Sequence, residues 1–109
     1  MSEPLVLYLD GERCLEAPRG AVPGQLRGLF ARLDADMAEG IELDGDWLPA
    51  PDARQRGRYV LGRLLSALSD SKPEFAHTLL IYLALNWPEL RAVRAVSGAG
   101  DWAVELDFF

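Results

Sequence analysis

The sequence contains little of the chemistry from which catalytic and metal sites are most often built. Its 109 residues include one cysteine, Cys14, and one histidine, His77. A lone cysteine cannot form a disulfide framework, and one histidine with one cysteine cannot supply an ordinary zinc site. Phosphate-loop, dinucleotide-binding and Gly-x-Ser-x-Gly motifs are missing as well. We therefore expect no cofactor and no metal ion, and catalysis is the less favoured interpretation.

Long apolar segments are also missing. The longest unbroken apolar run covers residues 79–85, far short of the roughly 20 residues that a membrane-spanning helix needs. Residues 1–4 are acidic where a secretion signal would have a basic segment followed by an apolar one. We expect a cytoplasmic protein without membrane association. Cys14 should then stay reduced, most simply as a small buried hydrophobic residue.

The charge is segregated along the chain. Seventeen acidic residues outweigh eleven basic ones, which gives a net charge of −6 and argues against broad binding to a nucleic-acid backbone. Between residues 34 and 52 the chain has seven acidic residues and no basic one. Four arginines follow directly: Arg54, Arg56, Arg58 and Arg63. This polarised stretch is the first place to look for a partner.

The hydrophobic pattern predicts a single α+β domain over residues 1–109. An apolar run at 5–9 predicts a strand, and the following Asp10-Gly11 predicts a hairpin that returns over 13–17. Apolar residues at helical spacing predict amphipathic helices over 24–39 and 53–68, and an almost wholly apolar helix over 72–86. The C-terminal part alternates with period two and predicts a hairpin of strands 92–96 and 102–108, with a turn at 97–100. We expect a small antiparallel sheet, made of the N-terminal strand and the C-terminal hairpin, packed on about three helices.

Local signals mark where the helices begin and end. Gly40 is a natural stop for the first helix. Asp52 with Gln55 predicts a capping box for the second helix, and Ser71 with Glu74 predicts one for the third. Between the first two helices, Asp44-Gly45 predicts an ordered loop or short hairpin within residues 41–51. It repeats the Asp-Gly of the first hairpin, which we interpret as the same turn chemistry used twice.

The arginines and the acidic stretch each have two interpretations. On a helix, Arg54 and Arg58 lie one turn apart and could bind an anionic ligand or a nucleic acid. A helix–turn–helix mode is disfavoured because residues 73–90 contain no lysine or arginine for a recognition helix. We expect instead that the arginines pair with the acidic stretch or face solvent. The acidic residues lack the EF-hand pattern and are interpreted as a solvated surface rather than a metal site.

Three functional hypotheses remain open. The first is a small protein-interaction or regulatory module without catalytic activity, with a protein partner or a second copy of the chain. Its candidate partner-binding residues are Arg54, Arg58, Arg63, Trp47, Asp44 and Asp46. The second is a small-molecule binder or unrecognised enzyme with a pocket between sheet and helices near Tyr82, His77 and Trp47. The third is a nucleic-acid contact through the helix of Arg54–Arg63. We expect His77 to be a half-buried residue hydrogen-bonded to the backbone.

Overall fold

The computed structural model describes residues 3–20, 22–99 and 102–109. Two strands come first, β1 (Leu5–Leu9) and β2 (Glu12–Ala17), and a short 3₁₀ turn (Gly24–Leu26) leads into α1 (Arg27–Ala38). Next come β3 (Ile41–Leu43), β4 (Asp46–Leu48), α2 (Ala53–Ser69), α3 (Pro73–Asn86), β5 (Leu90–Ser97) and β6 (Trp102–Phe108). The predicted α+β class, with three α-helices, is confirmed.

The main sheet joins the two ends of the chain in the order β2-β1-β5-β6. The hairpins β1–β2 and β5–β6 are antiparallel, whereas β1 and β5 run parallel, with Val6 beside Ala92 and Leu9 beside Ala95. The sheet is therefore mixed. Strand β2 ends beside the start of β1, and the helices return the chain to that same end of the sheet. Strand β5 consequently starts there and runs in the direction of β1.

Both Asp-Gly dipeptides form two-residue hairpin turns. Asp10 and Gly11 have φ values of 51° and 84°, and Asp44 and Gly45 have 53° and 83°. Two consecutive positive φ angles define the type I′ turn, which matches the twist of an antiparallel hairpin. The first turn joins β1 to β2, and the second joins β3 to β4 in a separate two-stranded ribbon. The predicted short hairpin within residues 41–51 is confirmed.

The core lies between one face of the sheet and the helices. The sheet contributes three fully buried side chains to this core: Leu5 and Leu7 from β1, and Val93 from β5. Helix α3 contributes the most, since half of its fourteen residues are buried, among them Leu79, Leu80 and Leu83. The predicted central, most apolar helix is thus confirmed. Helix α2 adds the stripe Val60, Leu61, Leu64 and Leu65, and helix α1 adds Phe30, Leu33 and Met37.

The two predicted capping boxes have different outcomes. At α2 the Asp52 carboxylate accepts the Gln55 backbone N–H at 2.8 Å, and the Gln55 side chain accepts the Asp52 N–H at 2.9 Å. At α3 the prediction is wrong, because Lys72 precedes the helix and makes no side-chain cap bond. Ser71 has φ 59° and ends α2 instead. The N–H groups of Ser71 and Lys72 bond to the carbonyls of Leu68 and Ala67, which is the Schellman pattern of a helix C-terminus.

Cys14 is another correction, because its side chain is exposed. In the β1–β2 register Leu7 faces Leu15 and Tyr8 faces Arg13, so Cys14 is the extra residue of a bulge. A bulge takes its extra residue out of the regular alternation between core and solvent. Gly100, the last residue of the turn predicted at 97–100, lies outside the described residues, as do the first two residues of the N-terminus. No helix in the described ranges is long and apolar enough to cross a membrane.

Candidate functional site

The β3–β4 ribbon and the start of α2 bring part of the acidic stretch against part of the arginine cluster. Arg58 donates to the Asp44 carboxylate at 3.1 Å, and both side chains are more than half exposed. The expected pairing of acidic and basic segments is confirmed at this one pair. An exposed pair of this kind contributes about 0–1 kcal/mol, so it orients the ribbon on α2 more than it stabilises the fold.

Trp47 lies on the outward face of the ribbon. It pairs across the strands with Glu42, whereas Ile41 and Leu48 pair on the face turned toward the helices. Its side chain is 63% exposed. The ring nevertheless rests directly on Gly40, where an added Cβ would come within 2.3 Å of ring atom Cζ2. Gly40 has φ +121°, a conformation that other residues rarely adopt. Trp47 is therefore a large apolar surface held in a defined position.

The remaining predicted partner-binding residues do not form one patch. Arg54 and Asp46 are exposed and make no ion pair within the described part of the chain. Arg63 lies farther along α2, with its guanidinium 6.0 Å from the centre of the Phe75 ring at the start of α3. Arg63 lies nine positions beyond Arg54 on the helix, a rise of about 13.5 Å. The structure thus brings Asp44, Asp46, Trp47 and Arg58 together at the ribbon and places Arg63 elsewhere.

A cleft of about 440 Å³ opens where α1, the start of α2 and the end of α3 meet. Its polar lining consists of Asp34, Arg56, Tyr82 and Asn86. Its apolar lining consists of Pro51, Ala53, Gly57, Leu83 and Trp87. Helices α2 and α3 pack antiparallel, so the start of α2 lies beside the end of α3. At this point the Trp87 ring lies directly on Gly57, where a Cβ would come within 2.5 Å of it. The cleft is within the size range of small-molecule sites.

A hydrogen bond between helices fixes one wall of the cleft. The Tyr82 hydroxyl donates to Asp34 Oδ1 in a short contact, and the Tyr82 ring meets Phe30 edge-on at 5.3 Å. Burial of the phenol, together with the bond to Asp34 and its negative charge, raises the pKa of Tyr82 well above its usual value. Tyr82 therefore stays protonated and remains a donor throughout the physiological range. On the next turn, Asn86 Nδ2 donates to the Tyr82 carbonyl at 3.0 Å.

Arg56 is the unusual residue of this cleft. It is partly buried, and its Nε has neither exposed surface nor a hydrogen-bond partner. Its guanidinium makes no ion pair within the described ranges, not even with Asp34 across the cleft. A partly desolvated cation without a partner costs free energy. Arg56 therefore brings to the cleft a positive charge that no described residue pairs.

The other residues of interest lie apart from the cleft. His77 donates from Nε2 to the backbone carbonyl of Glu16 at 2.8 Å, which confirms the expected hydrogen bond to the backbone. His77 thus faces β2, and Trp47 lies on the ribbon, so neither lines the cleft that Tyr82 lines. The cleft also lies among the helices rather than between sheet and helices. Among the described residues no three His, Cys, Asp or Glu side chains come close enough to hold a metal ion.

The sequence predicted a pocket near Tyr82 but not the residues that line this cleft with it, for a physical reason. Arg56 was visible as one arginine among four, but Asp34 and Tyr82 lie 48 positions apart in the sequence and meet only through tertiary packing. No local spacing signals such a contact. Comparison with known proteins adds no assignment: no family model, no curated protein and no solved structure matches this chain.

Proposed function

We propose that this chain is a cytoplasmic protein-binding module without catalytic activity of its own, and that it docks through the Trp47 surface. This surface is defined as Trp47 with Glu42, Asp46 and the Asp44–Arg58 pair. The observation that carries the proposal is Trp47 itself, which is 63% exposed and yet held against Gly40. An exposed indole that already rests on Gly40 has less side-chain freedom to lose on binding than one in open solvent, and tryptophan is enriched among the residues that dominate binding energy.

The charges around Trp47 indicate the chemistry of the partner. Glu42 is its cross-strand neighbour and Asp46 precedes it on β4, and neither makes an ion pair within the described residues. Asp44 already neutralises Arg58. The immediate border of the indole is therefore acidic. The partner should be a peptide or protein surface with an apolar pocket for the ring, bordered by lysine or arginine.

Selection from a random peptide library tests this proposal. Peptides selected by the full chain should combine an apolar cluster with basic residues, and should shift the Trp47 indole N–H signal in NMR spectra. Trp47→Ala should weaken their binding by about tenfold or more, a loss of about 1.4 kcal/mol or more. Phe109→Ala is the matched control, because Phe109 is equally exposed at 67% and lies at the C-terminus of the chain. Selected peptides that bind Trp47→Ala as tightly as wild type would contradict the proposal.

Charge variants distinguish the parts of the surface. Glu42→Lys and Asp46→Lys should weaken binding of a basic peptide, and the effect should fade as salt rises through about 0.15 M because exposed charges are then screened. Three further variants, Arg54→Glu, Arg58→Glu and Arg63→Glu, test the arginines that the sequence analysis selected as candidate partner-binding residues. If all five variants bound the peptide as tightly as the wild type, an electrostatic contribution would be excluded and the Trp47 indole would be the only part of the surface that contributes. A second copy of the chain is the alternative occupant, and sedimentation at several concentrations would reveal it.

A further inference from the structure

We infer that the cleft between α1, α2 and α3 binds a small zwitterion, of which a free α-amino acid is the simplest example, with its carboxylate on Arg56 and its ammonium group on Asp34. This inference is independent of the docking proposal, because no residue of the Trp47 surface lines the cleft. It rests on two opposite charges that share one cavity without meeting each other.

Arg56 supplies the cationic end of the site. Its Nε is inaccessible to solvent and unbonded, so the side chain meets the cleft through its other atoms. A guanidinium offers parallel N–H donors whose geometry matches the two oxygens of a carboxylate. Because no described residue pairs with the guanidinium, its accessible terminal nitrogens are free to bind a ligand carboxylate in the cleft.

Asp34 supplies the anionic end. Its Oδ1 accepts the Tyr82 hydroxyl, whereas no described side chain bonds to Oδ2. Tyr82 holds the carboxylate in place because it belongs to the buried helix α3 and its ring packs on Phe30 of α1. A fixed carboxylate with one unused oxygen is suited to an ammonium group, which has three donors. A simple anion would leave this oxygen unmatched, and a simple cation would leave Arg56 unmatched.

The rest of the cleft sets the size and character of the ligand. A volume of about 440 Å³ exceeds what an inorganic ion occupies and accommodates a small organic molecule. Leu83, Ala53 and the edge of Trp87 give the remaining wall an apolar character. A zwitterion with a short aliphatic side chain therefore fits the lining better than one with a further charge.

Titration with leucine and two matched analogues tests the inference on the full chain. 4-Methylpentanoate keeps the carboxylate and the branched chain but lacks the ammonium group, and 3-methylbutylamine keeps the ammonium group but lacks the carboxylate. We expect leucine to shift the Trp87 indole N–H and the Asn86 side-chain amide signals saturably at millimolar concentrations or below. Each analogue should bind about tenfold more weakly, because it leaves one of the two charges unpaired.

Variants separate the two ends of the site. Arg56→Gln should weaken leucine binding by about tenfold or more, and Arg56→Lys should restore part of it. Asp34→Asn should weaken leucine binding but not 4-methylpentanoate binding, which should stay the same or become tighter because the unpaired negative charge is gone; a general loss of structure cannot produce this pattern. Arg27→Gln is the control, because Arg27 is an exposed arginine on α1 outside the cleft.

Three results would overturn the inference. The first is the absence of saturable shifts with leucine at millimolar concentrations in wild-type protein. The second is 4-methylpentanoate binding as tightly as leucine, which would leave a simple anion site. The third is Arg56→Gln binding leucine like the wild type while its spectrum shows a folded protein.

Discussion

Two tryptophans each pack on a glycine, but one is buried and the other is exposed. Trp87 lies on Gly57 and Trp47 lies on Gly40, in each case so closely that a Cβ on the glycine would overlap the ring. Trp87 is only 6% exposed, whereas Trp47 is 63% exposed. The difference lies on the far side of each ring. Trp87 meets Phe108 of β6 with ring centres 5.7 Å apart, whereas the ribbon turns Trp47 outward. Packing on a glycine therefore positions an indole ring, but it does not determine whether the ring is buried or exposed.

The largest expected effect is the loss of the buried ring. Trp87→Ala should lower the free energy of unfolding by about 3–5 kcal/mol, because it removes a large apolar side chain and leaves a cavity between α2 and β6. Urea unfolding followed by circular dichroism would measure it. Loss below about 1 kcal/mol would show that the end of α3 repacks and that Trp87 is not a core residue.

The glycine beneath the buried ring comes next. Gly57→Ala places a methyl group 2.5 Å from Trp87 Cε3, and the ring is held by Phe108 and cannot easily withdraw. Overpacking should outweigh the better helix propensity of alanine and lower the free energy of unfolding by about 2 kcal/mol. Gly62→Ala is the matched control on the same helix, since nothing lies near its added Cβ. It should stabilise the protein by up to about 1 kcal/mol.

The glycine beneath the exposed ring should matter less for stability. Gly40→Ala forces alanine into φ +121° and pushes against Trp47, but this ring can swing into solvent. We expect a loss of about 1 kcal/mol, mostly from backbone strain. The Trp47 indole N–H signal should move and broaden in NMR spectra while that of Trp87 stays in place. An unchanged Trp47 signal would mean that Gly40 does not position the ring.

The smallest expected effect on stability is that of the exposed ring itself. Trp47→Ala should change the free energy of unfolding by no more than about 0.5 kcal/mol, because a mostly exposed side chain contributes little to folding. The same urea unfolding experiment measures it beside Trp87→Ala. A loss as large as that of Trp87→Ala would place Trp47 in the core and remove the main support for the docking proposal.

Much of the local structure could be predicted because its causes are local. The Asp-Gly turns need only two residues that tolerate positive φ, and the Asp52–Gln55 capping box needs only two side chains three positions apart. The box predicted at Ser71 shows the limit of this reasoning. The same residues could cap α3 or end α2, and the tight connection between the two helices selected the second role.

The candidate sites were less predictable because they depend on distant contacts. The segmental charge was enough to anticipate a contact such as Asp44–Arg58, which a short hairpin brings onto the next helix. The charge pattern did not distinguish Arg56, which lines the cleft, from the three other arginines of the cluster. Only the packing of α1 against α3 brings Asp34 and Tyr82 to the cleft that Arg56 lines.

The sequence by itself determined the elements of this protein: the helical stripes, the buried apolar helix, the hairpin turns and the alternating C-terminal strand. These follow from periodicity and from the dihedral preferences of single residues, which act over a few positions. The tertiary structure decided that β1 and β5 run parallel, that Cys14 is exposed, and that one tryptophan is buried while another faces solvent. It also decided that Arg56, alone among these four arginines, lines the cleft, where no described residue forms an ion pair with it. Burial and charge pairing depend on what lies across from a side chain, and no local pattern contains that information.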